Sequence, residues 1–119
     1  MRIGLDHVQL AAPPGCEVDA RAFFGALLGL DELEKPPALK PRGGCWFALG
    51  DGRQLHVGVA AEFAPAAKAH PAFVVSGWAE LRGRLVDNGL DVVDDDLIAG
   101  VRRFYASDPW GNRLEFVQA

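Results

Sequence analysis

A chain of 119 residues, half of them hydrophobic and about a quarter charged, has room for one domain with its own core but not for two independent ones. Its formal net charge of −4, with the basic residues scattered, offers no electrostatic footprint for nucleic acid or for an anionic membrane. No apolar run is long enough to cross a bilayer and no leader-like segment precedes the first strand, so a cytoplasmic protein is expected.

Residues 3–10 alternate as a strand, with Ile3, Leu5, His7 and Gln9 on one face and Asp6, Val8 and Leu10 on the other. A Pro/Gly-rich loop follows. Ala20, Phe23, Phe24, Leu27 and Leu28 then recur at spacings of three and four, which predicts a helix over 18–28 that stops at Gly29. Residues 30–33 form a brief strand. The segment 34–44 holds Pro36, Pro37 and Pro41 with Lys35, Lys40 and Arg42, and the prolines argue against strand or helix there. It reads as an exposed connection and a candidate rim for a pocket. Residues 45–49 and 53–59 make a hairpin across Gly50-Asp51-Gly52.

Residues 60–68 read as a linker, with a short helix equally compatible. The second half repeats the order of the first: a strand over 70–76, a helix over 78–88 with Leu81 and Leu85 inward, and strands at 92–93, 101–107 and 113–118. Asp94, Asp95 and Asp96 read as a solvated turn. Asp108-Pro-Trp-Gly-Asn112 is a turn into the closing strand, where Arg113, Glu115 and Val117 share one face. Cys16 and Cys45 are too few for a disulfide scaffold and are expected as free thiols.

All three histidines fall on these strands or at their starts. His56 and Glu115 occupy matching places in the closing strand of each half, and His7 and His70 in the opening one. The separations, 49 residues from His7 to His56 and 45 from His70 to Glu115, fit an internal duplication. One helix per half cannot cover both faces of a four-stranded sheet, so the uncovered face either packs on the other half or encloses a pocket with it. A histidine on a strand is ordinarily a hydrogen-bonded core or surface residue. Three imidazoles and a carboxylate at duplicated positions also make a candidate ligand set for a divalent first-row metal: His7, His56, His70 and Glu115.

The segments Asp6-His7-Val8, Phe23-Phe24 with Leu28-Gly29-Leu30, His70 with Ala72-Phe73-Val74-Val75, Arg103-Phe104-Tyr105, and Asp108-Pro109 with Gly111-Asn112-Arg113-Leu114-Glu115-Phe116 resemble the vicinal oxygen chelate superfamily. That group includes glyoxalase I, fosfomycin thiol transferases, extradiol dioxygenases and the metal-free bleomycin-binding proteins. The resemblance spans essentially the whole chain. It implies an α+β fold of two paired βαβββ modules forming a cleft, module one over residues 1–59, a linker over 60–69 and module two over 70–119. It also implies metal ligands at His7, His70 and Glu115, with His56 at a fourth position usually held by glutamate or glutamine, and a homodimer that builds its clefts from two chains.

On that basis the expected activity is of the lyase or isomerase type, using a divalent ion (Ni, Zn, Mn or Fe) on a small substrate with adjacent oxygen atoms. Glu115 or His56 would move a proton. Trp46, Arg103, Tyr105 and Arg113 are candidate substrate contacts, with packing for Tyr105 and an ion pair for Arg103 as the plainer roles; Arg113 could instead neutralise Glu115. A metal-free small-molecule binding protein is the alternative class. A fosfomycin-type thiol transferase and an extradiol dioxygenase are further readings, less favoured because residues 97–100 carry no thiol-transferase loop and ring-cleaving relatives are longer.

Overall fold

The computed structural model describes Met1–Ala119 as two compact units, Met1–Ala64 and Pro65–Ala119, called here module one and module two. Module one contains β1 (His7–Ala12), α1 (Glu17–Ala20) running into a π-helical stretch (Arg21–Leu27), β2 (Glu32–Leu33), a 3-10 turn (Pro37–Arg42), β3 (Cys45–Ala48) and β4 (Gln54–Val59). Its sheet has the order β1-β4-β3-β2, with β1 parallel to β4 and the other pairs antiparallel. Module two repeats the plan with β5 (Ala72–Val75), α2 (Trp78–Asp87), β6 (Val93–Asp95), β7 (Arg103–Ser107) and β8 (Arg113–Gln118). Its order is β5-β8-β7-β6, and β5 runs parallel to β8. Each module is therefore the βαβββ unit expected from the strand and helix periods. No helix is long and apolar enough to cross a membrane.

The core of each module lies between its helix and one face of its sheet. In module one Phe24 and Phe47 are fully buried and their rings meet at 5.8 Å, while Leu10, Leu55 and Val57 close the layer. In module two Trp78 of α2 packs on Phe104, which stacks on Phe116 at 5.0 Å, with Leu85 and Leu114 beside them. The Trp78 indole N–H donates to the Phe116 carbonyl at 2.9 Å, which satisfies its one polar atom inside the core. A fully buried aromatic or aliphatic side chain of this kind contributes about 1.5–3 kcal/mol over its exposed state. The opposite face of each sheet carries the alternating residues named as candidates, because strand side chains switch face at every position.

Several expected elements are corrected. The first strand begins at His7 rather than residue 3, and Ile3 is 93% exposed. The helix after it changes its winding at Arg21, where hydrogen bonds such as Leu28 N–H to the Phe23 carbonyl span five residues; the apolar spacing alone does not distinguish this from α winding. The proline-rich segment is not wholly irregular. Pro37 starts a 3-10 turn where a missing N–H costs nothing. The chain between β4 and β5 forms no helix. His70 precedes β5 by two residues instead of opening it. The acidic run is exposed at Asp94 and Asp96 as expected but is not a turn: Asp94 and Asp95 lie in β6, where Arg82 grips Asp94 through two nitrogens at 2.9 and 2.6 Å and Arg103 reaches Asp95. Both cysteines are free and buried. Burial, reinforced by the neighbouring Glu17 carboxylate, pushes the Cys16 thiol up to about 12, so it is no nucleophile.

Candidate functional site

On module two, the open face brings five of the named residues into one contact network. His70 sits just before β5, and its Nδ1–H donates to the Lys68 carbonyl at 2.8 Å. A carbonyl only accepts, so the proton is on Nδ1 and the ring is turned to direct Nε2 at Glu115 Oε1, 2.9 Å away. Glu115 is buried in β8. Its second oxygen, Oε2, lies 3.4 Å from Arg103 Nη1, and Arg103 also donates to Asp95 Oδ1 through Nε at 3.3 Å and Nη2 at 3.1 Å. Burial alone would raise the Glu115 carboxyl, but the His70 ring and the Arg103 guanidinium beside it outweigh that, and the net direction is down.

Tyr105 stands directly across from Glu115 in the β7–β8 register. The His70 ring meets it edge-on at 5.5 Å, and the Arg113 guanidinium lies over it at 4.0 Å from the ring centre. Arg113, two residues before Glu115, thus covers Tyr105, while the cation on the carboxylate is Arg103. Tyr105 and Arg113 also line an open pocket of about 290 Å³ together with Asp91, Val93 and Ser107.

Module one has a stack of three rings. His56 of β4 is buried, with Trp46 of β3 at 3.9 Å between ring centres and 1° between planes, and His7 of β1 at 4.2 Å and 19°. His56 Nε2 is 2.8 Å from Gln54 Oε1, two residues earlier on the same face. His7 Nδ1 is 2.8 Å from the exposed Asp6 carboxylate, which leaves Nε2 as its unengaged nitrogen. Burial, then the neighbouring His7, lowers His56 below the usual imidazole range, so the ring stays neutral. In the rim segment, Lys40 pairs with Glu34 at 2.6 Å and Lys35 donates to the Gly43 carbonyl, so two of its three cations are engaged within the segment itself.

The strand registers make the duplication explicit. Gln9 is the β1 partner of His56, and Ala72 the β5 partner of Glu115; His7 and His70 each lie two residues ahead of those partners. Trp46 faces His56 across β3–β4 as Tyr105 faces Glu115 across β7–β8. An aromatic opposite each fourth-strand position is thus a third matched pair. Sequence reading missed Asp95 as the anchor of Arg103, because only the β6–β7 pairing reveals it. Asp6 beside His7 and Gln54 at the same-face position before His56 were legible as neighbours, though not as hydrogen-bond partners.

Each module thus joins two of the four candidate ligands, His7 with His56 and His70 with Glu115, and neither module alone gathers three metal-binding side chains. The His70–Glu115 pair suits a cation. Two donors held ~2.1 Å from one ion at right angles are ~3 Å apart, and here they are 2.9 Å apart. The facing lone pair and carboxylate also require positive charge between them, a proton or a metal.

Comparison with solved structures agrees with this architecture. Over 99% of its length the chain is similar to a protein from Bacillus anthracis assigned to the glyoxalase family, with 50% identity, 96% of that chain covered and a TM-score of 0.95. A glyoxalase/dioxygenase from Nostoc punctiforme matches at 22% identity, with 97% and 90% of the two chains covered and a TM-score of 0.79. A lactoylglutathione lyase from Agrobacterium tumefaciens matches at 18% identity, with 98% and 93% covered and a TM-score of 0.77. The last two share the fold. No protein-family model and no curated protein matches the chain. The chain belongs to the glyoxalase family of the vicinal oxygen chelate superfamily.

Proposed function

We propose that this protein is a divalent-metal-dependent enzyme of the lyase or isomerase type, acting on a small substrate that presents two adjacent oxygen atoms. The observation that carries this reading is the His70–Glu115 pair, in which the imidazole is turned by Lys68 to offer Nε2 and the carboxylate is held from its other oxygen by Arg103. His7, His70 and Glu115 would hold the ion (Ni, Zn, Mn or Fe). When bound, it would act as a Lewis acid on the paired oxygens of the substrate.

The remaining roles fall to side chains of the same faces. Glu115 holds a proton-accepting oxygen at the site, and neutral His56 is a second group able to carry a proton. Tyr105 and Arg113 offer an aromatic edge and a cation to an anionic or oxygen-rich substrate, and Trp46 a flat wall. The reading also includes a homodimer. Val74 and Val93, on the open face of module two and 73% and 60% exposed, support a partner chain there.

Thermal unfolding with and without added Ni(II), Zn(II), Mn(II) or Fe(II) tests the reading. An ion that binds only the folded protein raises Tm in proportion to the logarithm of its concentration. A rise in the wild type that is absent in His70→Ala supports it; no rise with any of these ions overturns it.

A further inference from the structure

An imidazole at position 56 could simply serve as a fourth metal ligand. Its contacts in this chain describe something else. In the sheet order β1-β4-β3-β2, β4 lies between β1 and β3, so the rings stacked on His56 come from opposite sides, His7 at 4.2 Å and Trp46 at 3.9 Å. Both faces of the imidazole are covered. One edge is committed as well, because the Gln54 carbonyl oxygen 2.8 Å from Nε2 can only accept a proton.

His7, in contrast, is poorly anchored on its own. Its side chain is 43% exposed, and its one hydrogen-bond partner, Asp6, is 94% exposed, so that contact is weakly held in solvent. A hydrogen bond at one edge of a ring leaves the tilt of its plane free; a parallel ring 4.2 Å away removes that freedom.

We propose that His56 is a positioning residue, an aromatic plate clamped between Trp46 and His7 that sets the plane of the His7 ring, and not a fourth metal ligand. This role presupposes the metal site proposed above at His7, His70 and Glu115. Trp46 backs the plate, Gln54 stops it rotating, and the metal set of this chain has three protein ligands.

Three variants at one position separate the two roles. His56→Phe keeps the plate and removes the nitrogens, His56→Gln supplies an oxygen donor and removes the plate, and His56→Ala removes both. Each is titrated calorimetrically with Ni(II) and Zn(II) alone, with Tm of the metal-free protein as the control for folding. The plate predicts H56F within about 3-fold of wild-type affinity and H56Q and H56A weaker by ~10-fold or more, the usual effect of losing a group that orients a ligand. A ligand role predicts the reverse order, with H56Q at or above wild type and H56F as weak as H56A, and that order overturns the proposal. Equal affinity in all four proteins also overturns it. If H56A does not fold, H56F against H56Q still decides. Absence of binding by the wild type would instead overturn the metal reading itself, and this role with it.

Discussion

Arg103 reaches across from β7 to Glu115 on β8, Nη1 to Oε2 at 3.4 Å, while its other nitrogens hold Asp95 of β6. The guanidinium is largely buried, as are both carboxylates, so it fixes the carboxylate rotamer that offers Oε1 to His70. Arg103→Met keeps much of the packing and removes the charge. The expected result is metal affinity lower by ~10-fold or more and a lower urea midpoint, because two carboxylates lose their shared partner. Calorimetric titration and urea unfolding read the two effects separately. An unchanged affinity would mean that Arg103 serves only the sheet.

Glu17, at the start of α1, accepts the Gly44 N–H at 2.9 Å and the Cys16 thiol at 3.3 Å. The Gly44 hydrogen bond, then that of Cys16, holds its carboxyl below the ordinary glutamate value despite some burial. A carboxyl with a depressed folded pKa contributes stability that is fully present above its unfolded pKa of about 4.3 and is lost as pH falls through the folded value. Glu17→Gln is expected to cost about 1.5–3 kcal/mol at neutral pH and little at the acid end of that window. Denaturant unfolding of both proteins at several pH values between 7 and 3 measures it; a gap independent of pH would contradict this account.

Gly44 itself allows no side chain. Its φ is +83°, and a Cβ there would sit 2.1 Å from the Val57 carbonyl oxygen of β4. Gly44→Ala forces the entry of β3 away from β4 and is expected to cost ~3 kcal/mol or more. Gly50, with open space around it and an ordinary φ, makes the control: Gly50→Ala should change Tm little.

The turn before β8 is tied by two buried polar residues. Asp108 Oδ1 accepts the Trp110 and Asn112 N–H groups at 3.0 and 2.8 Å, and Oδ2 accepts the Asn112 amide at 2.7 Å. Asn112 Oδ1 in turn accepts the Ala66 N–H at 2.9 Å, which ties the chain ahead of β5 to this turn. Asn112→Ala leaves Asp108 and the Ala66 N–H short of a partner and is expected to cost about 2–3 kcal/mol. Hydrogen exchange at Ala66 should accelerate in that variant; unchanged exchange would show the tie to be unimportant.

Local periodicity carried most of the fold. The alternation around Glu115 gave β8 its limits without error, and the Leu81/Leu85 spacing gave α2 to within a residue. What failed did so for want of partners distant in sequence. Asp94 and Asp95 look like unpaired charge until Arg82 and Arg103 are brought beside them, and Ile3 looks like strand because its alternation extends back before the point where β4 begins. The winding change after Ala20 depends on packing that spacing does not encode. At the site, the pairing of positions was legible through the duplication, since His56 and Glu115 stand in the same kind of strand. Which arginine touches Glu115 was not, because Arg103 and Arg113 are both within reach and only the β6–β7–β8 register separates them. The stack of Trp46, His56 and His7 comes from three strands and has no local signature.

The most direct measurement of the central claim is metal content per chain, by elemental analysis of untagged protein beside a His7→Ala/Glu115→Ala double variant. The account predicts close to one Ni, Zn, Mn or Fe per chain in the wild type and loss of that ion in the variant. No bound metal in the wild type, even after incubation with each of those ions, would contradict it and leave a metal-free binding protein as the better description.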